Sequence, residues 1–189
     1  TIGMVGLIDD LENTITMDFK NENDLIVILG SLNSQLGGSS YLKTIENKVE
    51  GPLFQFNPDE EKQVQDTCLE AITSKLLTSA HDISDGGLAV ALSEMVVSSN
   101  DKLGADIFIE SELSDLELLF GECASTIIVT VNKEDLFKLV LLTKKHDINS
   151  QTIGAVNNDN RLKINEIINI DKAAIYETYY NTLSKIMTK

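Results

Sequence analysis

The chain has 189 residues, 42 % of them hydrophobic and 24 % charged, with 30 acidic against 15 basic side chains and a formal net charge of −15. This composition supports a buried globular core rather than a disordered tail. An acidic excess of this size repels phosphodiester backbones, so no nucleic-acid partner is expected. No apolar run approaches the roughly 18 residues of a membrane span, so no membrane partner is expected either.

In chain order, "GMVGLIDD" at residues 3–10 reads as a short strand and "NTITMDF" at 13–19 as a weakly alternating one. "DLIVIL" at 24–29 is a buried strand ended by Gly30. A glycine-containing loop follows, "GSLNSQLGGSSYLK" at 30–43. Asn57, Pro58 and three acids then mark a helix start, with Asn57 as cap and Pro58 in the first turn. Val64, Cys68, Ala71, Ile72 and Leu76 give that helix one apolar face, and it is expected to run to residue 78. Gly86 and Gly87 turn the chain into a second helix over 88–98. "ADIFIE" at 105–110 reads as a strand. Ser114 and Glu117 form a capping box for a short helix ending near Gly121. "STIIVTV" at 125–131 is a strand, and Asn132 caps a helix over 133–145. "QTIGAV" at 151–156 is a strand, and "RLKI" at 161–164 is its return partner in a hairpin across "NNDN". Residues 171–187 close the chain as a helix. Strands alternating with helices give an α+β fold, a mixed β-sheet layered with α-helices. Residues 20–189 read as one domain and residues 1–19 as a tail strand and linker from something upstream.

The chemistry-bearing residues are few. Arg161 is the sole arginine, so bidentate guanidinium clamps are not the main device for holding phosphate. The acidic residues read mainly as a solvated surface. Cys68 and Cys123 form no zinc spacing and fit a reducing cytosol; Cys68 sits in a core register, and Cys123 has no histidine beside it in sequence to make it a nucleophile. In "AHDISDGGL", Asp82 reads equally as a Mg²⁺ ligand or a structural acceptor. Asp85 reads first as the cap of the helix at 88, and Gly86 and Gly87 as a tight turn able to present N–H groups to phosphate. His81 lacks a partner nucleophile, and His146 sits at a helix C-terminus where the dipole favours it. Gly37, Gly38 and Ser39 form either a turn or a phosphate-facing loop; the GK[ST] ending of a P-loop is missing.

"TIGMVGLIDDL", "LGGSSYLK", "AHDISDGGLAVALSEM", "LLFGE" and "TIGAV", in this order, resemble the large synthetase subunits of phosphoribosylformylglycinamidine synthase, in the aminoimidazole ribonucleotide synthetase superfamily. The resemblance implies the C-terminal domain of the second half of an internally duplicated synthetase, so the fold should resemble the C-terminal domain of aminoimidazole ribonucleotide synthetase. The implied reaction is ATP- and Mg²⁺-dependent conversion of formylglycinamide ribonucleotide to the amidine, a C–N ligation. Its ammonia comes from a glutaminase subunit, and its location is the cytoplasm.

The family's catalytic histidine and most of its nucleotide ligands belong to upstream domains of the same polypeptide. No catalytic residue is therefore expected in this chain, and by itself it should be inactive, completing a cleft for those domains. The resemblance assigns nucleotide or phosphate contact to Gly37, Gly38, Ser39, Asp85, Gly86, Gly87 and Glu122, and metal contact to Asp82, with ATP or ADP and Mg²⁺ as the cofactors. In "FGECAST" the pattern departs: Cys123 and Ala124 follow Glu122 where the family's first half resembles Ser-Gln, and Thr126 replaces a frequent arginine. That departure fits a degenerate auxiliary site. Two other readings remain, an autonomous magnesium-nucleotide module and a purely structural interaction domain, the latter including a homodimer formed through the N-terminal strand.

Overall fold

The sheet is built around the run predicted to be most buried. The computed structural model describes residues 3, 5–100 and 102–188. Strand β1 (Leu25–Gly30) alternates its side chains between two cores: Ile26 and Ile28 enter one, Val27 and Leu29 the other. Strand β4 (Thr126–Val131) does the same with Ile128 against Val129 and Val131, in antiparallel register with Ile28 opposite Ile128. Strands covered on both faces read as continuous apolar runs, which is why both were legible as strands.

The helices divide between the two faces. Helix α1 (Ser40–Ile45) is short and belongs to the loop after β1. Helix α2 (Pro58–Thr73) packs Val64, Cys68 and Ala71 into the second core. Helix α3 (Gly87–Ser98) inserts Leu88, Leu92 and Met95 into the first, beside Leu118 and Leu119 of α4 (Asp115–Phe120). Helix α5 (Leu136–Lys145) joins α2 through Leu139 and Leu142. Helix α6 (Lys172–Met187) closes the chain, and its buried Lys172 amine donates to the carbonyl and hydroxyl of Ser99 at 2.7 and 3.0 Å.

The remaining strands are β2 (Leu77–Asp82), β3 (Gly104–Ile107), β5 (Ser150–Asn157), β6 (Arg161–Ile164) and β7 (Ile168–Asp171). They complete a seven-stranded mixed sheet in the order β2-β4-β1-β5-β3-β6-β7, antiparallel except where β3 meets β6. The α+β expectation therefore holds.

Several local expectations are corrected. Gly3 and Val5–Asp10 form no strand, and residues 1, 2 and 4 of that expected strand lie outside the described residues. Residues 13–19 form no strand either; Phe19 and Ile15 nonetheless pack inward, and Thr16 accepts a hydrogen bond from the Ala80 amide on the edge of β2. Helix α2 ends at Thr73, five residues early, because Lys75 adopts φ 57° and redirects the chain into β2. Asn132 opens a turn rather than the helix: its carbonyl accepts from Asp135 N, and α5 starts at Leu136.

The expected β5–β6 hairpin does not form, because β3 lies between the two strands. Gly104 permits this insertion, since a Cβ there would stand 2.1 Å from the Arg161 carbonyl oxygen. The actual hairpin pairs β6 with β7, a strand the sequence pattern did not reveal.

Burial predicts the sensitivity of these positions. Ile128→Ala, at a fully buried site in the sheet, should cost about 2–5 kcal/mol in urea denaturation. Phe137→Ala, at a side chain 70 % exposed on α5, should stay within about 0.5 kcal/mol of the parent.

Candidate functional site

The register brings three chain segments to one end of the sheet. Gly30 at the end of β1 pairs with Thr126 at the start of β4, and Asp82 at the end of β2 pairs with Ile127. The loop after β1, the β2–α3 turn and the residues leading into β4 therefore converge. Glu122 joins them. Its Oε1 accepts the Ser40 amide at 2.7 Å and the Gly86 amide at 3.0 Å. Its backbone exchanges two hydrogen bonds with Gln35, at 2.9 and 3.0 Å. One residue thus fastens the glycine loop to the turn before α3. Its carboxylate takes the position an anion would take ahead of a helix start.

The glycines have steric reasons for their positions. Gly87 lies at φ 74°, and a Cβ there would meet the Gly121 carbonyl oxygen at 2.5 Å, so the turn presses directly on the chain that carries Glu122. Gly37 crosses the chain at Gly51 and Pro52 so closely that a Cβ would lie 1.8 Å from the Pro52 carbonyl oxygen. Gly38 N donates to the Glu50 carbonyl at 3.0 Å in the same crossing. Ser39 is fully buried and caps α1, its hydroxyl accepting from Leu42 N at 3.3 Å.

Asp85 does not cap α3. The N-cap is Gly86, in the left-handed region at φ 82° and without a side-chain capping bond, so the Asp85 side chain stays exposed at the turn.

Beside this junction lies a cleft of about 770 Å³, lined by Asp82 and Asp85 of the turn and by Glu122 and Cys123. Glu61 and Val64 of α2 also line it, with Phe54 and Phe56 from the segment before that helix. No lysine, arginine or histidine lines it. Among the described residues, no group of three or more His, Cys, Asp or Glu is placed to hold a metal.

Asp82, Asp85 and Glu122 thus share the cleft. Gly37 lies in a neighbouring groove with Gly51 and Pro52, while Gly38, Ser39, Gly86 and Gly87 frame the junction. Sequence reading missed Phe54, Phe56 and Glu61. Glu61 Oε2 accepts the Ser125 hydroxyl at 2.7 Å and steadies a residue held at φ 56°.

The two histidines stand outside this cleft. His81 Nε2 lies 2.8 Å from Glu94 Oε2 and ties β2 to α3. His146 Nε2 lies 2.7 Å from Glu70 Oε2, and the Glu70 carboxyl is held below its ordinary range by hydrogen bonds from Lys145 and then His146.

Burial pushes the Cys68 thiol up to about 11. Burial also raises Cys123, against the opposing pull of the Thr126 and Ser34 hydroxyls. Neither thiol is an activated nucleophile. Thr126 itself is buried, donating to the Ser31 and Ala124 carbonyls at 3.0 Å, so its hydroxyl is engaged in the loop.

The model for the AIR synthase related protein, C-terminal domain, matches residues 21–166. The chain belongs to this family. It is 40 % identical over 156 residues to phosphoribosylformylglycinamidine synthase subunit PurL of Caldanaerobacter subterraneus subsp. tengcongensis, covering 82 % of the chain and 21 % of that relative. The chain thus spans about a fifth of the curated relative's length. Among solved structures, Thermotoga maritima PurL complexed with FGAR superposes with a TM-score of 0.74 at 19 % identity, covering 88 % of this chain and 30 % of that one. The same protein complexed with ADP gives 0.67 at 18 % identity, covering 88 % and 27 %. At these identities the structural matches establish the fold. No helix among the described residues is long and apolar enough to cross a membrane.

Two measurements test the site geometry. Glu122→Ala leaves two amides without their acceptor and should lower stability by about 1–3 kcal/mol in urea denaturation, whereas Glu122→Gln, which keeps an acceptor oxygen, should lose much less. Both thiols should react slowly with a disulfide reagent at pH 8 in the folded chain and rapidly in denaturant, because each is buried and each titrates above the ordinary thiol range.

Proposed function

We propose that this chain is the C-terminal part of the purine-biosynthetic synthetase that converts formylglycinamide ribonucleotide to the amidine, an ATP-dependent C–N ligase supplied with ammonia by a glutaminase subunit. In this reading the cleft of Asp82, Asp85 and Glu122 faces the upstream domains of the same polypeptide, and the chain is inactive alone. The observation that carries it is the cleft's charge. Four carboxylates line it and no cationic side chain does, so it cannot by itself neutralise a phosphorylated substrate. The missing positive charge comes from the upstream domains and from Mg²⁺.

Asp82 and Asp85 are exposed at the cleft and fit a Mg²⁺ ion that takes its other ligands from phosphate and water, since such ions are typically held by one or two carboxylates. The ion supplies charge neutralisation to a nucleotide phosphate when bound. Glu122 keeps Gly37, Gly38, Ser39, Gly86 and Gly87 in place around that position. Residues 1–19 form the connection to the upstream domain. Val5, Leu7, Ile8 and Leu11 are apolar and exposed, and that domain, rather than a second copy of this chain, covers them.

The 189-residue chain supplied with formylglycinamide ribonucleotide, ATP, Mg²⁺ and ammonia should form no amidine. Turnover would overturn the inactive reading. A second reading, a magnesium-nucleotide module that works alone, is favoured by one observation: the cleft's volume lies within the range of small-ligand sites.

A further inference from the structure

The mouth of the acidic cleft carries two aromatic side chains that no core accounts for. Phe54 is half-buried and Phe56 is 59 % exposed, and both line the cleft. Phe56 stands immediately before the Asn57 cap of α2, where an apolar residue ordinarily packs on the fourth helical residue. Here that residue is Glu61, which is engaged by the Ser125 hydroxyl and the Gln65 amide, so no apolar staple partner is in place.

The segment bearing the two rings is held at both ends. On one side the Gly37–Pro52 crossing pins it, and on the other Asn57 Oδ1 accepts the Asp59 amide at 3.1 Å. Phe54 and Phe56 therefore stand on a strap that gives the cleft an apolar lining, continued by Val64, in the same cleft that Asp82 and Asp85 of the β2–α3 turn line.

We propose that Phe54 and Phe56 form a stacking wall for the adenine ring of a nucleotide. This deepens the nucleotide reading given above and rests on it. Aromatic faces accept a planar heteroaromatic ring by stacking. The cleft's carboxylates accept from an exocyclic amine but offer nothing favourable to a bare phosphate. A nucleotide matches both parts of the lining, with its base on the phenylalanines and its phosphates, through a bridging cation, toward Asp82 and Asp85. The strap then holds the base, while the acidic turn sets the need for a cation.

The test is a titration of the 189-residue chain, with its phenylalanine rings isotopically labelled, by adenosine, by Mg·ADP and by ribose 5-phosphate with Mg²⁺, read by NMR. Resonances of Phe54 and Phe56, assigned from Phe54→Leu and Phe56→Leu, should shift upfield with adenosine and with Mg·ADP but not with ribose 5-phosphate. Each leucine variant should weaken Mg·ADP about tenfold, which corresponds to about 1.4 kcal/mol, with an unchanged thermal midpoint. Mg·ADP binding that ignores both variants would overturn the stacking wall and leave the nucleotide reading standing. No binding of either adenosine or Mg·ADP would overturn both the stacking wall and the reading of a nucleotide module that works alone. Ring shifts of equal size from arginine methyl ester would also overturn it, because the wall would then be selecting an organic cation through its ring faces.

Discussion

The Glu122 carboxylate holds together the end of this molecule where the candidate site lies. Three loops leave the same end of the sheet, and each carries backbone groups that no strand satisfies. A single oxygen accepting from Ser40 and Gly86 settles two of those groups and fixes the distance between the glycine loop and the β2–α3 turn. A buried or half-buried amide without an acceptor is costly, so the carboxylate stays where the amides point. The close contact of Gly87 with Gly121 and the exchange of backbone bonds with Gln35 leave the residue little freedom to move.

That junction has a sheet behind it that is apolar on both faces. Consecutive side chains of β1 and β4 enter different cores, with α3, α4 and α6 on one side and α2 and α5 on the other. Burial on both faces makes the register hard to change, because a slip of one residue would exchange every side chain between two differently shaped cores. The register in turn places Gly30, Asp82 and Thr126 at one end. The cleft is thus a consequence of strand alignment, and its charge is a consequence of which loops that alignment gathers.

The legible parts of the chain were those governed by near neighbours. The apolar runs of β1 and β4, the Asn57–Pro58 start of α2 and the Ser114–Glu117 box of α4 were each readable because pattern and cap lie within a few residues. The misreadings share a different origin. Asp85 looks like a cap, yet Gly86 in the left-handed region takes that place because the turn has to press against Gly121. "RLKI" looks like the partner of β5, yet β3 enters between them, pairing with both and placing Ala105 and Ile107 in the first core. Phe54 and Phe56 carry no periodic signal, and only the folded chain shows that they line the same cleft as the acidic turn.

By itself the sequence determined the mixed helix-and-strand class, the strongly acidic character, the turn chemistry around Gly86 and Gly87, and the resemblance that the family match upheld. These depend on composition, on periodicity and on motifs a few residues long. Tertiary structure alone decided that Glu122 reaches Ser40 and Gly86, respectively 82 and 36 residues away in the chain. It also decided that a cleft forms in which acids and phenylalanines share the lining, and that β3 enters between β5 and β6. The reason is range. Local pattern records which face a side chain prefers, whereas the position of distant segments relative to each other follows only from packing two cores against one sheet.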